Sequence, residues 1–237
     1  ELNDGDYDLS AGKNRIDTVR TSVNSLSLSN TEDISLDFNS SVYKDLNIKG
    51  DKNVSLNGDD HVYGNSNITA AKDVIVKGRV QVDGDLTVSG NNITSESPFD
   101  WDNEAFGSLS SRKSMTLVAK NNIFMPAINV DDGRYSSWGK PQSNNINNLN
   151  ITAKNITLDG VNVRGNTNLT ATDGSSGNIT LGASDLKGNL TVKASGDMTL
   201  NKNLVAGGDI RINANNLLSD FSGGQYPWMP PQLSGII

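Results

Sequence analysis

Phe99, Trp101, Phe106, Tyr135 and Trp138 are five of the thirteen aromatic residues of the chain, and they fall in two polar stretches. The stretches are SESPFDWDNEAFGSLSSRK, residues 95–113, and RYSSWGKPQSNNINNL, residues 134–149. Asp100 and Asp102 flank the first group, and Arg134 and Lys140 the second. Flat apolar ring faces with a polar handle, surrounded by charge, suit a sugar ring or a protein surface. Binding is therefore expected at Phe99, Trp101, Phe106, Arg134, Tyr135 and Trp138. The alternative is that the same rings staple the two stretches onto the rest of the molecule.

Other reactive side chains are sparse. Two Asp–Asp pairs occur, Asp59–Asp60 and Asp131–Asp132. Adjacent carboxylates can raise one another's pKa or hold a cation, but beside so many turn-forming residues they read as solvated turns. His61, the single histidine, follows the first pair, and there is no cysteine, so a zinc ligand set is not expected. Neither a nucleophile elbow nor a calcium-binding nonapeptide repeat is present. No metal and no cofactor is expected, and the chain reads as a binding protein rather than an enzyme. Nine N-x-[ST] sequons occur, at Asn39, Asn53, Asn67, Asn92, Asn150, Asn155, Asn168, Asn178 and Asn189. They are candidate glycosylation acceptors, Asn67, Asn150, Asn155, Asn168, Asn178 and Asn189 foremost. A structural explanation competes, because a corner Asn, an inward Ile or Leu and an outward Thr also spell N-[IL]-T.

The elements that would carry these groups follow from repetition. The phrase NLTVKASGDMTLNKNLVAGG at Asn189 is preceded by NLTATDGSSGNITLGASDLKG at Asn168 and NITAKNITLDGVNVRGNT at Asn150, and followed by DIRINANNLLSDFSGG at Asp209. Further copies start at residues 25, 45, 67, 85 and 114, making nine at a period near twenty. Two or three short strands per period mean one solenoid coil per repeat, each pairing in parallel with the next. The expected fold is all-β, a right-handed parallel β-helix of about nine coils. A β-sandwich would also use short strands and regular turns, but it does not require one phrase to recur. Alternation points Leu86, Val88, Leu190, Val192, Ile210 and Ile212 inward and Thr87, Thr191 and Arg211 outward. The Asn or Asp opening each copy should stack at a corner.

This places the helix over residues 25–220, with residues 1–24 as an N-terminal partial coil or cap and 221–237 as a Pro-rich tail or cap. Pro227, Pro230 and Pro231 argue against further strand pairing in that tail. The two aromatic stretches become insertions, expected to leave the rod on the same side one coil apart. Insertions on a solenoid often carry binding. The net charge of −7 argues against nucleic acid as a partner. No apolar run is long enough for a membrane-spanning helix, so no membrane insertion is expected. The opening ELNDGDYDLSAG is not a signal peptide, which leaves room for one upstream.

The phrases N-[IL]-T-[LVA], as in NITA at Asn67 and NITL at Asn155, D-[LIM]-[TR]-[LI], as in DLTV at Asp85 and DMTL at Asp197, and the closing AGG at Ala206 resemble a known family. They are similar to the filamentous haemagglutinin-like exoproteins of two-partner secretion systems in Gram-negative bacteria. That group includes the high-molecular-weight adhesins and the contact-dependent growth inhibition effectors. The resemblance covers residues 25 to about 220 and lies in repeat texture. It implies a secreted or cell-surface adhesin segment that binds a host or bacterial surface receptor, protein or glycan. The receptor-binding region of a growth inhibition effector is one alternative. A polysaccharide-degrading β-helix enzyme or phage tailspike is another, and it would need carboxylates on neighbouring coils facing one groove. The NPNG- and NPNL-like motifs of the family's secretion domain do not occur here. Recognition by the outer-membrane transporter is therefore expected to use a region outside this chain.

Overall fold

In the strand Leu46–Gly50, LNIKG, buried and exposed residues alternate, and the same alternation recurs in Ser66–Ala70, SNITA, one period later. A strand with one buried face must stack that face on others, and here each strand stacks on its own copy. Ser66 pairs with Leu46 and Leu86, and Ile68 with Ile48 and Val88, all in parallel. The computed structural model describes residues 2–12, 14, 16–19, 21–37, 41–96, 107–130, 147–172, 174, 176–219 and 233–234. Among these residues the chain is a parallel β-solenoid of about nine turns without a helix. Because every pairing is parallel, the β-sandwich alternative falls away.

Three ladders run along the rod. The first carries the inward column Leu26, Leu46, Ser66, Leu86, Met115, Leu149, Thr167 and Leu190, each paired with the next. The second carries Ile34, Val54, Val74, Ile93, Ile123, Ile156, Ile179 and Met198. The third carries Val80, Leu109, Ile128 and Val161. Most of these side chains are almost wholly buried, and each fully buried Leu or Ile contributes about 1.5–3 kcal/mol. Where the first ladder turns towards the second the column narrows to Ala153, Ala171 and Ala194, since a larger side chain would fill the corner.

Polar ladders hold two of the corners. Entering the first ladder, Asp45, Asn65, Asp85, Ser114, Asn148, Asn166 and Asn189 each accept, through the side-chain oxygen, the backbone N–H of the counterpart one coil on, Asp209 being the last donor, at 2.8–3.1 Å. A second series enters the second ladder. There Asp33, Asn53, Asp73 and Asn92 accept in turn from the N–H groups of Asn53, Asp73, Asn92 and Asn122, and Asn155 and Asn178 from those of Asn178 and Asp197. At the turn into a strand a backbone N–H needs another acceptor, and a short amide or carboxylate supplies it. At the third corner glycines stack instead. A Cβ on Gly78 would lie 2.0 Å from the Gly58 carbonyl oxygen, and Gly107 combines a φ of +76° with no room for a side chain.

Several expectations need correction. The corner residues are Asn65, Asn148 and Asn166, whereas Asn67, Asn150 and Asn168 stand two residues later on the strand and face outward. Leu86, Val88, Leu190 and Val192 are buried, with Thr87 and Arg211 exposed, as alternation requires. Ile210 and Ile212 are half-buried, because they belong to the last coil of the described first ladder and pack on the core from one side. Thr191 is half-buried between Asn168 and Arg211 in the outward column. Ser108–Ser111 lies within the stretch read as the first insertion, yet it is a strand paired with Arg79–Val82 and with residues 127–130. Before residue 25, Asp6–Ser10, Ile16–Val19 and Thr21–Val23 pair with the following coil. In the tail, Leu233–Ser234 pairs with Leu204 and Val205 despite the nearby prolines.

Candidate functional site

One coil passes from the second ladder to the third in three residues, 57–59, and the next, the coil before the first interruption, does so in two, Lys77 and Gly78, between Val74–Val76 and Arg79–Val82. One coil later the same corner begins at Glu96 and ends at Gly107, with residues 97–106 between them. From the third ladder back to the first, the ordinary corner is three residues, Asp83, Gly84 and Asp85. After Met115–Val130 that corner instead holds residues 131–148 before Leu149–Ala153. The two insertions thus leave from different corners on successive coils. The expectation of one common side fails, because it missed the strand Ser108–Ser111 that separates the exits. Both exits border the outward face of the third ladder, one from each edge.

Phe99, Trp101, Phe106, Arg134, Tyr135, Trp138 and the pair Asp131–Asp132 lie outside the described residues. The described part of the third face is polar as far as Asp185, beyond which Val205 stands exposed in the same column. Its outward column runs Ser41, His61, Gln81, Ser110, Asn129, Asn162 and Asp185, one per coil. Asn162 Nδ2 donates to Asn129 Oδ1 at 3.0 Å. Beside this column, at the corner after the third ladder, stand Tyr43, Tyr63, Asp83 and Arg112 on four successive coils.

This corner holds a side-chain cluster that aromatic counting within the insertions overlooked. The Tyr43 and Tyr63 rings stack with centroids 5.4 Å apart and planes at 21°, and His61 stacks on Tyr63 at 4.1 Å and 18°. His61 Nε2 lies 3.1 Å from Asp83 Oδ1, and Arg112 donates to Asp83 Oδ2 at 3.1 Å. The Tyr43 hydroxyl is 3.4 Å from Ser22 Oγ. Side chains from five coils are thereby joined, while Tyr43 and Tyr63 remain 50% and 46% exposed. The signal was present in the spacing: residues 43 and 63 are one repeat apart, so like side chains there must meet. Phe124, 47% exposed, is a further outward ring, paired with Thr94 of the strand that leads to the first insertion.

The remaining candidates separate by their surroundings. Of the first acid pair Asp59 is exposed and accepts the Arg79 N–H at 3.3 Å, but Asp60 points inward and is buried. It occupies the position that Val80 takes one coil on, so only half of that pair is a solvated turn. His61 belongs to the stacked cluster, not to a turn. Asn53, Asn92, Asn155, Asn178 and Asn189 are members of the corner ladders. The side-chain nitrogens of Asn92, Asn155 and Asn168 donate to Asp73, Asn122 and Asn150. Asn67 and Asn178 are exposed, and Asn150 is half-buried. Asn39 lies outside the described residues.

A family model described as repeats of unknown function (DUF5649) matches residues 172–220. The match agrees with a repeat-built β-solenoid. No curated protein and no solved structure matches the chain.

Proposed function

We propose that this chain is a β-helical adhesin segment of the filamentous haemagglutinin-like kind. In this reading it is exported to the surface of a Gram-negative bacterium or beyond it, and binds a host or bacterial cell-surface receptor. The observation that carries the reading is the interruption of an otherwise uniform rod at two corners that border one face. Both interrupting stretches are rich in aromatic and charged residues in sequence, and ordinary coils make the same corners in two or three residues. A rod with a solvated polar surface needs no such interruption for folding. Support also comes from the repeat phrases and from the parallel solenoid they build.

Binding rather than catalysis is the preferred role. Among the described residues at this corner Asp45 and Asp85 accept backbone N–H groups of the next coil, and Asp83 is paired with Arg112 and faces His61, so each of these carboxylates is already engaged.

Trp101→Ala and Trp138→Ala test the proposal. Each is expected to weaken binding to receptor-bearing cells by about 2 kcal/mol or more, with the β-sheet circular dichroism and thermal midpoint unchanged. A lowered midpoint with binding intact would make these rings staples and reject the reading.

A further inference from the structure

We propose that the corner formed by Tyr43, Tyr63, His61, Asp83 and Arg112 is a binding site for a neutral linear polysaccharide running along the rod. This goes beyond the adhesin reading, since it uses coil residues and none of the insertions.

The ligand class follows from the chemistry of the corner. The two tyrosines are about half exposed and already ordered by stacking, Tyr43 on Tyr63 and Tyr63 on His61. Ordering before binding lowers the entropic cost of holding a ligand. Around them the outward neighbours are Ser41, Gln81 and Ser110. No aliphatic side chain stands among them, so an apolar peptide anchor would find no pocket, whereas hydroxyl-rich ligands would find donors and acceptors at every step. The carboxylate of Asp83 is met by the Arg112 guanidinium and the His61 imidazole. Charge is thus balanced within the cluster, which disfavours a polyanion or polycation. The planar groups of Gln81, Asp83 and Arg112 can each bridge adjacent hydroxyls on one sugar. Successive coils are about 4.8 Å apart, close to the length of one pyranose unit, so a linear chain can present one sugar to each coil in turn.

The experiment uses the full chain and neutral linear hexasaccharides of glucose, mannose, galactose and N-acetylglucosamine, with hexagalacturonate as the acidic probe. Saturation-transfer NMR and calorimetry read binding. At least one neutral hexasaccharide should bind. The double substitution Tyr43→Ala with Tyr63→Ala should weaken it at least about tenfold with circular dichroism unchanged. Should that variant fail to fold, Gln81→Ala and Arg112→Ala, at outward positions, should each weaken binding severalfold. Deletion of residues 97–106 and 132–146 should abolish cell binding yet leave hexasaccharide binding intact, which separates this site from the adhesin reading. The proposal is overturned if no neutral hexasaccharide binds at millimolar concentration, if hexagalacturonate binds more tightly than all of them, or if binding ignores the tyrosine and arginine substitutions.

Discussion

Leu190 lies fully buried between Thr167 and Ile210 in the first inward column. Leu190→Asp would put an uncompensated carboxylate into that stack, and a loss of about 4 kcal/mol or more, or failure to fold, is expected in urea unfolding. A stable variant would refute the inward placement. Outward positions obey different rules, and the sequons illustrate them. Attachment of a sugar requires the side-chain nitrogen of Asn, which Asn92, Asn155 and Asn168 already donate to a neighbour. Among the described sequons Asn67 and Asn178 are the exposed ones. Peptide mass spectrometry of protein from its native host should therefore find any hexose at these two before the other three. Modification concentrated on Asn155 or Asn168 would contradict the ordering.

Corner ladders show what a single strand-to-strand turn needs. Asn166 donates its N–H to Asn148 Oδ1 and accepts the N–H of Asn189. Removing the acceptor in Asn166→Ala orphans that donor and should cost about 1–3 kcal/mol. Asn166→Asp keeps the acceptor, as Asp45 and Asp85 do, and should cost less than half as much in the same unfolding assay. Alternation within each strand was legible from local pattern, since Leu190 and Val192 repeat at period two. In the copies opened at Asn67, Asn150 and Asn168 the corner was misplaced by two residues, because N-[IL]-T is more conspicuous than the Asn before it, whereas Asp45, Asp85, Asn189 and Asp209 do stand at the corner. A shift of two preserves which side chains face inward, so the faces came out right even in those three copies. Ser108–Ser111 was not legible at all, because SLSS offers a single apolar residue. It is a strand because Arg79–Val82 and residues 127–130 lie on either side of it. Missing that strand moved the first insertion's exit by one corner.

At the scale of the whole molecule, parallel stacking gives a rod whose sides differ chiefly in what interrupts them. The first and second ladders are entered through polar corners that repeat almost without exception. The third face is different: an insertion adjoins each edge, and an aromatic cluster occupies the corner three coils before the second exit. Periodicity made the rod readable, and a break in periodicity marked where to look, although the spatial relation of the two breaks emerged only from the third ladder. The adhesin reading can be tested by restoring the period. Deleting residues 97–106 leaves Glu96–Gly107, a two-residue corner like Lys77–Gly78, and deleting 132–146 leaves a three-residue corner like Asp83–Asp85. The decisive measurement is cell binding by this doubly shortened rod, with circular dichroism and thermal unfolding recorded alongside. A folded β-helix of undiminished thermal midpoint that no longer binds is expected; undiminished binding by the folded, shortened rod would refute the adhesin reading.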